Sequence, residues 1–555
     1  PRGSGNCLRV WSMQPPDTLS SRSSASAWAV ATMLVVLTVG LLFLQAPHGG
    51  AFYWSDAPRH ALNGVFVMDL LRDLPLDDPA GYAYRYYAQY PALTILFYPP
   101  LFYILSAPFY AVFGLSHEVA LLVVALHYIA YGVGCWRLAR FWLDTQGALA
   151  FALLMLVLPE VAFWGRQVML EVPTFAFVVW SAVAFMVHWR ENRRAGLYWA
   201  AALLVLGMYT KISVGYVGLV YAVMLAWRHR WALFTRRDHW AVLVLSVIAL
   251  MPLIVLTLKF GQANVQSVSG VADTVASRTS LAGWLWYAKQ LPDQLGWPLL
   301  VVAVLGLLWA LATQRRAAWF AGVRFWLVWL LAGYVFFSLI DLKEARHSIF
   351  LLPALVFVAV GALQHLLPRP YSSAALLLLL GATAAITVFW RPVYFVDGYA
   401  KAVDVVAKLA PKNSVVLFSG YRDGAFVFNL REREDRRDLS VLRADKVLLS
   451  LAVRRELGVE EKPMTDAELS QLINDSGVHY VVMQPGFWID LEAMRRFERV
   501  LHSPQFEEVV RIPTPANHKA HETELVIYRN LGQVGPKPDK LNIELKIINR
   551  QITVQ

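Results

Sequence analysis

Residues 196–227 read GLYWAAALLVLGMYTKISVGYVGLVYAVMLAW and decide what kind of fold the chain can form. Almost every residue is apolar. A single helix of this length would run about 48 Å at about 1.5 Å per residue, well beyond a hydrocarbon core of about 30 Å. It would also put Lys211 at its middle, where a charge costs several kcal/mol. Two short helices, 196–209 and 212–227, turning at Met208-Tyr209-Thr210-Lys211, remove both problems. The stretch therefore predicts paired membrane helices with an ammonium group at a turn on one membrane face.

Working outward, the same character recurs at 27–45, 118–136, 148–165, 170–189, 240–258, 298–313, 323–340, 348–367 and 372–390, which makes eleven apolar runs. The first lacks an A-x-A-like cleavage site and reads as an uncleaved helix rather than a signal peptide. Composition agrees: 57% of the 555 residues are hydrophobic and only 16% are charged. A soluble chain of this size, typically about 25% charged, has no way to hide that much apolar surface. Disordered, collagen-like and disulfide-scaffold classes are excluded by the same figures. Cys7 and Cys135 form no disulfide framework, and no zinc-type spacing exists. The fold class is an α-helical polytopic membrane protein of about eleven spans, with a smaller C-terminal domain.

The net charge of +11 belongs to the loops. Arg137 and Arg140, Arg190, Arg193 and Arg194, Arg228, Arg230, Arg236 and Arg237, Arg315, Arg316 and Arg324, and Arg369 all fall on the side shared with the N-terminal tail. Basic loops face the cytoplasm. The expected topology is a multi-pass inner (cell) membrane protein with a cytoplasmic N-terminus, and no nucleic-acid partner is implied. Residues 1–26 read as a disordered cytoplasmic tail and 27–390 as the membrane domain. Within it, 46–117 is a long outer loop with an interfacial aromatic piece at 98–114. Residues 391–530 alternate amphipathic helices with short β-rich runs (SVVLF at 414–418, VHYVVM at 478–483, TELVIYR at 523–529) and read as an extracytoplasmic α/β domain. Residues 531–555 read as an irregular tail. Gly420-Tyr421-Arg422-Asp423-Gly424 after a strand reads as a plain turn ahead of a weak phosphate loop.

With sides assigned, ionisable residues at helix ends gather on the outer face: Asp56, Arg166, Glu171, Lys211, Asp341, Lys343, Glu344, Arg346 and His347. Charges at a membrane edge are costly and mark function. Asp56, after Phe52-Tyr53-Trp54, has the chemistry of a general base, although a solvated loop acid explains it as well. Glu171 in the first turn of a helix also suits the helix dipole. Lys211 and Arg346, with Lys343 and His347 nearby, are candidates to hold a phosphate, Arg346 in bidentate fashion.

These residues, in order, resemble the GT-C superfamily of membrane glycosyltransferases. The bacterial branch with the lipid A aminoarabinose transferase and the protein O-mannosyltransferases is the nearest. The features are Trp54-Ser55-Asp56 with His60 four residues on, Tyr98-Pro99-Pro100-Leu101, Phe113-Gly114, Glu171, Gly207-Met208-Tyr209-Thr210-Lys211, and Arg346-His347 with Pro353 beyond. They span about residues 27–370. The resemblance implies a polyprenyl-phosphate-linked sugar donor and a lipid, glycan or protein acceptor. It also implies Asp56 as base with Glu171 beside it, donor phosphate held by Lys211, Arg346, His347 and Lys343, and further site candidates Arg59, His60 and Tyr98. The chain departs from the pattern where Ala57 follows Asp56, since many relatives carry a second acid there, and at Tyr98, where another branch has Lys or Glu. A divalent metal, on Asp56 and Glu171 if present, stays open, and no other cofactor is implied. The competing reading is a transporter or lipid flippase with an outer sensing domain, but only one helix break and no internal repeat is visible.

Overall fold

The computed structural model describes residues 21–261, 276–313, 318–451, 455, 458–537, 541–545 and 550–554. The tail expected over 1–26 lies outside the described residues as far as residue 20.

All eleven apolar runs are helical. Helix α1 is Ser21–Phe43. The long loop after it folds into α2 (Asp56–Asp73), α3 (Pro79–Gln89) and α4 (Leu101–Phe113). Next come α5 (His117–Ala139), α6 (Thr145–Val157), α7 (Pro159–Gly165), α8 (Glu171–Glu191), α9 (Arg194–Thr210), α10 (Tyr216–His229) and α11 (Arg237–Phe260). The bundle continues with α12 (Leu281–Leu295), α13 (Trp297–Thr313), α14 (Ala318–Ser338), α15 (Leu352–Leu366) and α16 (Tyr371–Ala385). By length and composition eight helical segments among the described residues can cross a membrane, and α6 with α7 makes a ninth, bent by 61°. The count is below eleven because that pair is broken at Pro159, while α9 and α13, of 17 residues each, fall short of a full span. The run 212–227 is a 3-10 turn, Ile212–Gly215, leading into α10, so the chain breaks at Lys211, where the sequence placed the turn. Helix α11 buries only Leu253 and presents the rest of its apolar surface outward, as a lipid-facing helix must.

The C-terminal domain contains α17 (Tyr399–Leu409), β1 (Val415–Ser419), α18 (Asp423–Glu432), β2 (Ser440–Arg443), α19 (Ala444–Leu448), β3 (Leu449–Leu451) and β4 (Val459–Glu461). It continues with α20 (Asp466–Asp475), β5 (Val478–Met483), α21 (Glu492–Leu501), β6 (Phe506–Pro513) and β7 (Glu524–Asn530). The main sheet runs β2-β1-β5-β7-β6, its first three strands parallel and the rest antiparallel. Strand β1 is buried along its whole length, as expected for a parallel strand covered on both faces. Alternate residues point to opposite faces. Val415 and Leu417 pack with Leu469, Ile473, Met494 and Phe497 of α20 and α21. Val416 and Phe418 join α17, α18 and an apolar cluster that continues into the membrane helices. The domain is thus seated on the bundle through one face of its sheet. Two features differ from the sequence reading. The turn at 420–424 opens directly into α18 at Asp423, and part of the expected irregular tail forms a hairpin of β8 (Leu541–Leu545) and β9 (Arg550–Val554).

Candidate active site

Asp56 is the first residue of α2, where the helix N-terminus favours an anion. Its Oδ2 accepts a hydrogen bond from Arg346 Nη1 at 3.1 Å, and its side chain keeps 25% of its surface exposed. Arg346 sits in the 3-10 turn Ala345–Leu351 that precedes α15. Its guanidinium lies over the Trp164 ring at 5.5 Å, pairs through Nε with Glu344, and stands 3.9 Å from Glu171 Oε1. Glu171 opens α8 and is buried, its side chain 1% exposed. Its Oε1 accepts from Lys211 Nζ at 2.6 Å, while Oε2 is buried without a hydrogen-bond partner. Lys211 reaches it because the backbone is extended at that residue (φ −153°, ψ 116°), which ends α9 and turns the side chain inward. Four side chains from distant segments therefore form one continuous chain of contacts.

Burial works to raise the Asp56 pKa, but the Arg346 guanidinium, with help from His60 and Arg59, prevails and holds it down at about 2. Behind Asp56, His60 bonds through Nδ1 to the Tyr103 hydroxyl at 2.9 Å, and its ring meets Tyr98 with centroids 4.7 Å apart. Burial, against the pull of Asp56, lowers the His60 pKa to about 4, so the ring is neutral. Burial and the Asp56 charge push the Tyr98 phenol well above its ordinary value. Both groups are neutral neighbours of Asp56, and the Tyr98 hydroxyl is hydrogen-bonded to it.

The remaining sequence candidates divide. His347 stays at the edge of the cluster, its Nε2 3.9 Å from Glu344, its ring stacked on Phe337. Lys343 does not join it. Its ammonium donates to the backbone carbonyls of Ser338 at 2.6 Å, Ile340 at 2.5 Å and Phe337 at 3.3 Å, and so caps the end of α14. A donor committed to a helix C-terminus is not free for a phosphate. Arg59 turns the other way, gripping both oxygens of Asp423 at 2.9 Å. Two site residues went unassigned in the sequence. Glu344 was visible only as part of a charged loop. Trp164 lies on α7, beyond the bend, and carries no signal in sequence other than being aromatic.

For the possible divalent ion, the donor set is unfavourable. Arg346 pairs with Asp56 at 3.1 Å and stands 3.9 Å from Glu171, so both carboxylates already face a cation. Among the described residues no group of three or more His, Cys, Asp or Glu could hold a metal.

Residues 98–256 match the family model described as dolichyl-phosphate-mannose-protein mannosyltransferase. No curated protein matches the chain. Among solved structures, ArnT from Cupriavidus metallidurans bound to undecaprenyl phosphate superposes with a TM-score of 0.61 at 14% identity, over 93% of this chain and 100% of that one. The arabinofuranosyltransferase AftD from Mycobacteria gives 0.53 at 15% identity, over 94% of this chain and 41% of that one. The Archaeoglobus fulgidus oligosaccharyltransferase with Zn and sulfate gives 0.52 at 12% identity, over 82% and 68%. With its apolar spans, its long loop of short helices and its C-terminal α/β domain, the chain shares the fold of these solved structures.

Proposed function

We propose that this protein transfers a sugar from a polyprenyl-phosphate donor to a hydroxyl of a lipid, glycan or protein acceptor, with inversion at the anomeric carbon. The observation that supports this most directly is the meeting of Asp56, Glu171, Lys211 and Arg346 in one chain of contacts within the GT-C fold. The arginine-rich loops support a cytoplasmic N-terminus in the cell membrane, with the site and the α/β domain on the extracytoplasmic side.

In the reaction, Asp56 takes the proton from the acceptor hydroxyl as its oxygen bonds to the anomeric carbon. The bond from that carbon to the phosphate oxygen breaks, and the electron pair leaves with the lipid phosphate. Lys211 and Arg346 stabilise the charge that collects there, the usual role of preorganised cations. Both cations now face carboxylates, so a donor phosphate exchanges one anionic partner for another at small cost in charge. A carboxylate with a pKa near 2 is a weak base. When the guanidinium turns to the donor phosphate, Asp56 loses the contact that suppresses its basicity, and the base is released as the donor arrives. Glu171, with Oε2 unpartnered, holds Lys211 and offers an acceptor for an incoming hydroxyl.

The test is incubation of the purified protein in lipid vesicles with a panel of labelled polyprenyl-phosphate sugars and candidate acceptors. Label should move to a hydroxyl acceptor from at least one donor, with inverted configuration. Retention of configuration, or transport of an intact donor without transfer, would overturn the proposal.

A further inference from the structure

The C-terminal domain touches the loop that carries Asp56 at points too specific for a simple anchor. Helices α2 and α18 run side by side in the same direction with their charges exchanged. At one end, α2 presents Arg59 and α18 presents Asp423, paired through both oxygens at 2.9 Å. At the other, α2 presents Asp69 and α18 presents Arg431, both fully buried, with Arg431 Nη2 to Asp69 Oδ2 at 2.6 Å and Nε to Oδ2 at 3.0 Å. Arg443, at the end of β2, closes on Asp423 from the far side. Two pairs of opposite polarity fix one helix against the other, because a shift would leave buried charges unpaired and a reversal would bring like charges together.

The contacts reach the backbone that leads into Asp56. Arg59 Nη1 donates to the Ser55 carbonyl at 2.6 Å, the residue immediately before Asp56. Arg422 Nη1 donates to the Tyr53 carbonyl, and its Nε pairs with the buried Glu522 at 2.6 Å. A glycine at 424 permits this approach. A Cβ there would lie 3.0 Å from Pro58 Cγ and 3.2 Å from Arg59 Nη1. Further back, Gly50 takes a positive φ of 76°, and the Asn429 side chain of α18 fills the space a Cβ would need. Asn429 Nδ2 donates to the Gly50 carbonyl at 3.3 Å.

We propose that α18 is a splint for α2, with Asp423 and Arg431 as positioning residues that set where Asp56 stands relative to the donor site. The outer domain then acts in the chemistry without touching the reacting atoms. The proposed donor-binding cations come from other segments, Lys211 from the break after α9 and Arg346 from the turn before α15. This role rests on the transfer activity proposed above, but its structural half can be read without it.

The experiment uses the full-length protein in nanodiscs as wild type, Asp423→Asn, Asp423→Glu and the milder Arg59→Lys. Steady-state transfer and hydrogen exchange of the α2 amides at 56–62 are measured on each. The splint requires kcat to fall about 10- to 100-fold in Asp423→Asn, in keeping with loss of an oriented catalytic group. The donor KM should stay within about twofold, because its cations are untouched. Exchange of the α2 amides should rise, and Asp423→Glu should recover most of kcat. Arg59→Lys should give an intermediate loss. Unchanged kcat and unchanged exchange would overturn the proposal. So would a loss in Asp423→Asn that matches the fraction of protein no longer able to bind donor, since that is plain destabilisation. If wild type transfers no sugar while α2 exchange still rises in Asp423→Asn and recovers in Asp423→Glu, the splint stands and the transferase reading falls.

Discussion

Asp56 and Asp69 stand on the same helix and both face guanidinium groups, yet their surroundings differ. Asp69 is fully buried and accepts from Arg431, Arg72 and Tyr86 together. Asp56 has one guanidinium, a quarter of its side chain exposed, and a neighbour, Glu171, with an oxygen left without a partner. A saturated buried pair has nothing left to offer a ligand, and breaking it leaves an uncompensated charge. An unsaturated one can exchange partners. The lesson is that residue type and a guanidinium partner do not separate the two carboxylates here; exposure and an unpartnered neighbouring oxygen do.

The sharpest way to break the comparison is at its saturated end. Arg431→Ala should destabilise the protein by about 3–5 kcal/mol, the usual result of stripping one partner from a buried pair. The check is thermal unfolding followed by the fluorescence of the C-terminal domain, with transfer lost only as the fold is lost. At the unsaturated end, Lys211→Ala should leave the unfolding temperature of the C-terminal domain unchanged but lower kcat/KM for the donor about 100-fold, equivalent to about 2.7 kcal/mol. An unchanged donor response would remove Lys211 from the phosphate site.

The pH profile separates the two ends again. The Asp56 pKa is lowered in the folded protein, so the carboxylate stays ionised through the working range and imposes no acid limb on wild-type kcat/KM above about pH 4. In Arg346→Ala the burial that works to raise the pKa is no longer opposed by the guanidinium. The remaining activity should then fall as pH drops through a pKa above the ordinary aspartate value of about 4. An identical acid limb in both proteins would show that Arg346 does not control the base. The smallest effect is expected at Lys343. Lys343→Met should change the donor KM by less than about twofold and cost about 1 kcal/mol of stability, because its ammonium serves backbone carbonyls.

Much of this arrangement is legible in the sequence, and the rest is missing for definite reasons. The apolar runs identify the bundle because burial in lipid needs long unbroken stretches. The break at Lys211 follows from length and the cost of a charge. Sorting ionisable residues by membrane side places Asp56, Glu171, Lys211 and Arg346 together before any coordinates. Helices α2 and α3 are less visible because their apolar and charged residues are mixed, and each pairs with residues far along the chain. Asp69 and Arg431 illustrate this, standing 362 positions apart in sequence. The pair Lys211 and Lys343 shows a second limit. Both precede apolar helices on one membrane face, but the carbonyls that take up Lys343 are exposed by the way α14 ends, which local composition does not encode. Helix α18 was hidden for a third reason, since Gly420 and Gly424 give it the look of a turn.

The most direct measurement is single-turnover transfer by Asp56→Asn with a labelled polyprenyl-phosphate sugar bound beforehand. Asparagine keeps the size of the side chain and removes the base. Donor should bind within about threefold of wild type while transfer falls by at least about 100-fold, the scale of general base catalysis. Transfer at the wild-type rate in that variant would contradict the assignment of Asp56 and, with it, the reading of this cluster as the active site.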